Sequence, residues 1–114
     1  MSDAELSPED LKNITLARST RARVASAEGA AVRDETGRTY AAAAVALPSL
    51  QLSALRLAVA MAVSSGASAL EAAALVSDVN QPDPGDLAAV RDLGPAATVF
   101  LAGPDGSVRD TLKP

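Results

Sequence analysis

Residues 48–66 read PSLQLSALRLAVAMAVSSG, and this stretch decides the fold. Pro48 and Ser49 carry the punctuation of a helix start and Gly66 that of a helix stop, so a helix is expected over residues 50–65. Leu50, Leu52, Leu55, Leu57, Val59, Met61 and Val63 leave such a helix no clear polar face. A helix that is apolar all round has to be buried all round. In one short chain it lies against a sheet on one side and must meet a second surface on the other. It is no membrane span, because the apolar run 47–63 is interrupted by Gln51, Ser53 and Arg56 and falls short of the about 20 residues a bilayer needs.

On the N-terminal side, Ala30–Asp34 and Thr39–Leu47 flank the turn Glu35-Thr36-Gly37-Arg38, which makes a β-hairpin with Gly37 at the position that needs positive φ. Before the hairpin, Ser7-Pro8-Glu9-Asp10 is a helix start: a capping hydroxyl, proline at the first helical position, and two acids at the positive end. Leu6 and Leu11 stand at the two ends of a hydrophobic staple, and the helix is expected to fade near Ala22. On the C-terminal side, Ala72–Ser77 reads as a central strand, and Asp83-Pro84-Gly85-Asp86 opens a short helix that Gly94-Pro95 ends. Ala97–Leu101 and Ser107–Leu112 surround the tight turn at 103–106, which makes them antiparallel neighbours. The order α-β-β-α-β-α-β-β predicts an α/β fold with one mixed sheet of five strands and helices on its faces.

Composition narrows the function by exclusion. The chain has 114 residues, with 10 Lys or Arg against 14 Asp or Glu for a net charge of −4, which is one domain, 1–114, with residues 1–6 expected to be a flexible N-terminus. Alanine takes 26 positions, leaving 14 Leu, 10 Val, one Ile, one Phe and one Tyr for the core. His and Cys are absent, which excludes imidazole bases, Ser-His and Cys-His nucleophiles, thiolate or imidazole zinc ligands and disulfides. Met1–Asp10 is acidic where a secretory signal would be basic and then apolar, so the expected location is cytoplasmic. The acidic balance and the lack of aromatic platforms argue against nucleic acid as a partner. Lys12, Arg18, Arg21, Arg23 and Arg33 form a local basic run that faces only Glu28. Its simple explanation is cations at a helix C-terminus; the alternative is a surface for an acidic partner or phosphate.

The order of elements and the surviving punctuation resemble the cytidine deaminase family over roughly residues 7–114. The residues that carry the resemblance are Glu28-Gly29-Ala30-Ala31-Val32, the hairpin Thr36-Gly37-Arg38-Thr39-Tyr40, Ser53-Ala54-Leu55-Arg56 at the start of the apolar helix, Pro82-Asp83-Pro84-Gly85-Asp86, Phe100-Leu101, Pro104-Asp105-Gly106 and Thr111-Leu112-Lys113-Pro114. The resemblance implies a three-layer sandwich. It also implies where the family keeps its chemistry. The three zinc-ligand positions correspond to Ser53, Asp83 and Asp86, the proton-shuttling Glu to Leu55, and the nucleoside-holding Asn and Glu to about Ala44 and Ala46, while Arg56 matches the family's arginine. In the family the zinc activates a water and the Glu moves protons to and from the base.

Every diagnostic residue is therefore changed, and no catalytic, cofactor-binding or metal-binding residue is expected here. Asp83 and Asp86 have a simple alternative to a hard-cation site with Ser53: both favour the start of a helix, one as cap and one in the first turn. The turn at 103–106 has the glycine spacing of some RNA-binding loops but no basic neighbours, so it reads as a turn. The expected function is a non-catalytic structural or interaction protein that forms a dimer or tetramer through helix 50–65, with an unidentified protein as a further possible partner and no membrane. The alternatives are a small-molecule, nucleoside-like binding module, or a residual deaminase or hydrolase activity that uses carboxylates.

Overall fold

The structure is a computed structural model that describes residues 6–114. The flexible N-terminus expected over 1–6 otherwise lies outside these residues; Leu6 itself is 9% exposed and packs in the core. Helix α1 (Pro8–Arg23) starts where its cap dictates, with the Asp10 amide donating to Ser7 Oγ at 3.1 Å. Glu9 and Asp10 sit in its first turn and Arg21 and Arg23 in its last, each complementing the dipole. Strands β1 (Glu28–Asp34) and β2 (Thr39–Ala43) form the expected hairpin. Asp34 builds its turn: one carboxylate oxygen accepts from the Thr36 amide at 2.9 Å, the Thr36 hydroxyl at 2.7 Å and the Arg38 amide at 3.0 Å. The other oxygen accepts from the Tyr40 hydroxyl at 2.9 Å. These bonds, that from the Thr36 hydroxyl first, hold the Asp34 carboxyl at about 2. Gly37 takes φ +86° in this turn.

The chain then departs from the expectation of one long strand followed at once by a helix. Strand pairing with β1 stops at Ala43, and β3 (Val45–Leu47) pairs instead with β4 (Leu50–Leu52) in a separate two-stranded sheet. Pro48 and Ser49 are the turn of that small hairpin, where a helix start was expected, and Leu50-Gln51-Leu52 alternates as a strand does. The helix α2 begins only at Ala54 and ends at Ser64.

After α2 come β5 (Leu70–Ser77), α3 (Pro84–Leu93), β6 (Thr98–Ala102) and β7 (Val108–Leu112). The main sheet has five strands in the order β2-β1-β5-β6-β7. Only β5 and β6 are parallel, because α3 supplies the crossover a parallel pair needs; the other neighbours are antiparallel. Alternation along the strands then makes two cores. Ala30, Val32, Ala73, Leu75, Val99 and Leu101 face α2 and α3. Ala31, Ala72, Ala74, Val76, Phe100 and Ala102 face α1 through Ile14 and Ala17. The result is the α/β three-layer arrangement, with helices on both faces of a mixed five-stranded sheet.

In the single chain, helix α2 is buried on the side that meets the sheet. Ala54, Leu55, Ala58, Val59 and Ala62 face the sheet, while Ala60, Met61 and Val63 are exposed. Among the described residues no helix is long and apolar enough to cross a membrane.

Candidate functional site

The starts of α2 and α3 meet, and the residues singled out at positions 53–56 and 83–86 meet with them. Ser53 is the N-cap of α2: its hydroxyl accepts from the Arg56 amide at 3.2 Å. The same hydroxyl donates to Asp86 Oδ1 at 2.8 Å. Asp86 stands in the first turn of α3 and is only 2% exposed. Arg56, one turn into α2, brings Nε to 3.3 Å from that same Asp86 oxygen. Its guanidinium lies across Gly85, where any β-carbon would collide with Nη2. Glycine at 85 leaves room for the guanidinium in this position.

Asp83 and Asp86 divide their work. Asp83 is the exposed N-cap of α3 and accepts from the Gly85 amide at 3.3 Å. Asp86 lies in the first turn, but its carboxylate points inward to Ser53 and Arg56, so it is more than a helix-start residue. A further carboxylate, Glu28 at the start of β1, accepts from the Ala54 amide at 2.9 Å and satisfies one of the free N–H groups of α2. Two positive helix ends therefore converge on three carboxylates and one guanidinium.

Leu55 does not face this cluster's polar groups. It is fully buried in the core with Ala58, Val59 and Val90. Ala44 lies between β2 and β3 and Ala46 within β3, and both are exposed and carry no polar side-chain atom.

The donors here do not fit zinc. The chain has no thiol and no imidazole. Ser53 and Asp86 are bonded to each other, a guanidinium takes the place beside their shared oxygen, and Asp83 turns to its own backbone. Among the described residues no group of three His, Cys, Asp or Glu side chains is placed to hold a metal. The Ser53–Asp86–Arg56 network can act as a clamp between two helices.

Three cations of the basic run, Arg18, Arg21 and Arg33, are used within the chain. Arg33 bonds Asp10 and Glu71, each at 3.1 Å. Arg21 pairs with Asp78 at 3.6 Å and donates to the Ala27 carbonyl, and Arg18 donates to the Pro104 carbonyl at 3.0 Å. A groove of about 260 Å³ lies between the start of α3 and β7, lined by Pro82, Pro84, Leu87 and Leu112 with Gln81 and Asp110. Glu28 was not legible as a cap, because nothing local links it to Ala54. Arg56 was legible in part: three residues after Ser53, it shares that residue's face of the helix.

The fold has close counterparts. A cytidine deaminase from Burkholderia pseudomallei is 23% identical and superposes with a TM-score of 0.78, covering 95% of this chain and 93% of that one. The cytidine deaminase of Mycobacterium leprae is 21% identical, with a TM-score of 0.69 and coverage of 93% and 94%. That of Mycobacterium tuberculosis is also 21% identical, with a TM-score of 0.61 and coverage of 82% and 86%. No curated protein sequence matches the chain. The family model described as cytidine deaminase-like matches residues 6–106. The chain belongs to the cytidine deaminase-like family.

Proposed function

We propose that this protein is a non-catalytic member of its family, a structural or interaction protein that self-associates through the outer face of α2 in the cytoplasm, with no nucleic acid or membrane as partner. The observation that carries the proposal is the closed Ser53–Asp86–Arg56 network, in which Ser53 and Asp86 stand at two of the three positions the resemblance assigns to zinc ligands. A metal site needs donors free to turn toward a cation, and a catalytic one needs an acid or base that can reach a substrate. Here the donors are spent on each other, and the position assigned to the proton-shuttling Glu is a core leucine. Two alanines at the positions assigned to nucleoside binding offer no side-chain hydrogen bond to a ribose.

The test is direct. Elemental analysis of the purified protein is expected to give zinc far below one equivalent, and cytidine incubated with it is expected to stay cytidine. Stoichiometric zinc, or turnover of cytidine that a chelator removes, would overturn the proposal.

A further inference from the structure

We infer that the groove between the start of α3 and β7 is a docking site for a peptide segment of another protein, one that sets an apolar side chain beside a lysine or arginine. The inference goes beyond the self-association proposed above and is independent of it, since the groove lies on other elements. β7 is the outer strand of the sheet, and among the described residues it packs substantially on no element but β6. α3 packs chiefly on α2 and β5, which leaves the last strand without a helix over it. The groove there measures about 260 Å³, with Pro82, Pro84, Leu87 and Leu112 as its apolar lining and Gln81 and Asp110 as its polar groups. Clefts that enclose a whole small molecule run to about 300–1,000 Å³, so this one has room for one or two side chains and not for a nucleoside.

The charge around the groove selects the occupant. Asp110 is exposed and spends one carboxylate oxygen on the Thr111 amide at 2.9 Å. Asp83, between the two prolines, is exposed as well and accepts from the Gly85 amide. Neither forms an ion pair among the described residues. The cations nearest to Asp110 in sequence are committed elsewhere: Arg109 donates to the Ser77 and Val79 carbonyls, and Lys113 to the Ala96 carbonyl and the Thr98 hydroxyl. An apolar lining with two unpaired carboxylates beside it fits an apolar side chain flanked by a cation, and the chain's own net charge of −4 favours a basic partner over an acidic one. Side chains make the contact, and no strand is added, because Arg109, Asp110 and the irregular pairing at Leu101/Ala102 guard the edge of β7. Pro82 and Pro84 fix the backbone at the groove, so it is formed before a partner arrives.

Phage-displayed random nonapeptides are selected on the whole chain after passage over Asp110→Lys, which removes binders of other surfaces. Asp110 is exposed, and circular dichroism checks that the variant is folded. The enriched peptides are expected to set Lys or Arg next to, or one residue removed from, a large apolar residue. Once synthesised, they are expected to bind the wild type about tenfold tighter than Asp110→Lys and several-fold tighter than Leu87→Ala in fluorescence anisotropy. Amide resonances of Gln81, Leu87, Asp110 and Leu112 are expected to shift on binding, and those of Met61 and Val63 on α2 to stay in place. No enriched peptide, enriched peptides that lack a cation, or shifts confined to other residues would each overturn the groove as a peptide site. Binding that Leu87→Ala leaves unchanged would reduce the contact to surface charge and overturn it as well. Self-association through α2 survives every one of these results, and its own failure would leave the groove untouched.

Discussion

Replacing Asp86 with alanine puts a number on the junction between α2 and α3. The carboxylate is 2% exposed and accepts from the Ser53 hydroxyl at 2.8 Å, a hydrogen bond to a charged group worth about 1.5–3 kcal/mol. Its ion pair with Arg56 counts for less, about 0.5–1 kcal/mol, because the arginine side chain is 48% exposed and half solvated. Its place in the first turn of α3 adds about 0.3–1 kcal/mol from the dipole. Asp86→Ala should therefore cost about 3 kcal/mol, which for a domain of this size lowers the melting midpoint by roughly 10 °C. Asp86→Asn, which still accepts from Ser53 but has no charge to offer Arg56, should cost about half as much.

Urea unfolding followed by circular dichroism at constant pH reads these losses as shifts in midpoint at unchanged slope. A double-mutant cycle isolates the pair: Arg56→Ala should cost about 1 kcal/mol alone and almost nothing once Asp86 is already alanine. Asp86→Ala within about 0.5 kcal/mol of the wild type would refute the clamp, as would two variants whose costs simply add. Mg²⁺ or Mn²⁺ should leave the wild-type midpoint where it is. A metal-dependent rise that disappears in Asp83→Asn/Asp86→Asn would show that the carboxylates hold a cation instead.

Asn13 is fully buried on α1, and neither polar atom of its amide has a hydrogen-bond partner among the described residues. Asn13→Leu should raise stability by about 1–2 kcal/mol in urea unfolding, and a loss would mean that the amide has a partner. The Asp34 carboxyl sits at about 2 when folded against an ordinary 3.8, so its contribution is complete above about pH 4 and is lost as pH falls through 2. Melting midpoints of Asp34→Asn should accordingly fall less steeply than wild type between pH 4 and pH 2, and parallel curves would refute the assignment. At Gly29 a β-carbon would run into the Ala17 carbonyl and come within 2.9 Å of Arg21 Cβ, so Gly29→Ala must push α1 off the sheet. The expected cost is about 2 kcal/mol or more, and a neutral variant would show that the α1 contact is loose.

The parts of the fold legible in the sequence are those with local chemistry. Ser7-Pro8-Glu9-Asp10 announced α1, Gly37 the first hairpin, and the turn at 103–106 the pairing of β6 with β7, each through bonds made within a few residues. The stretch 50–63 hid which face of the helix meets the sheet, because its large side chains recur every second residue, Leu55, Leu57, Val59, Met61, Val63. The face that packs is instead Ala54, Leu55, Ala58, Val59 and Ala62, a helical spacing carried largely by alanines. Alanine ranks low as a source of buried area, yet here it brings α2 close to a sheet whose own facing residues include Ala30, Ala42 and Ala73. Large residues left over by that packing, Met61 and Val63, point to water. The small hairpin was missed for a related reason: Leu50-Gln51-Leu52 fits a strand and a helix alike over so few residues. Within the site, the resemblance brought Ser53 and Asp86 into one argument. Their hydrogen bond, and the bond from Ala54 to Glu28, join residues 33 and 26 positions apart and depend on the assembled sheet.

Two helix starts cannot be brought together without an answer to their free N–H groups and their like-signed dipole ends. In this chain the answer is distributed over residues that each presuppose the others. Asp86 places a buried negative charge between the two ends, which is tenable only with donors around it. Ser53 supplies one donor from α2 while its oxygen still caps that helix, a double duty for which a hydroxyl, with its donor and its lone pairs, is suited. Arg56 supplies the balancing charge, its guanidinium lying over Gly85. Glu28 takes the Ala54 amide that Ser53 cannot. A hydroxyl, a carboxylate, a guanidinium and a glycine thus close the junction together. Leu55, two residues after the cap, turns to the core instead, where it is fully buried.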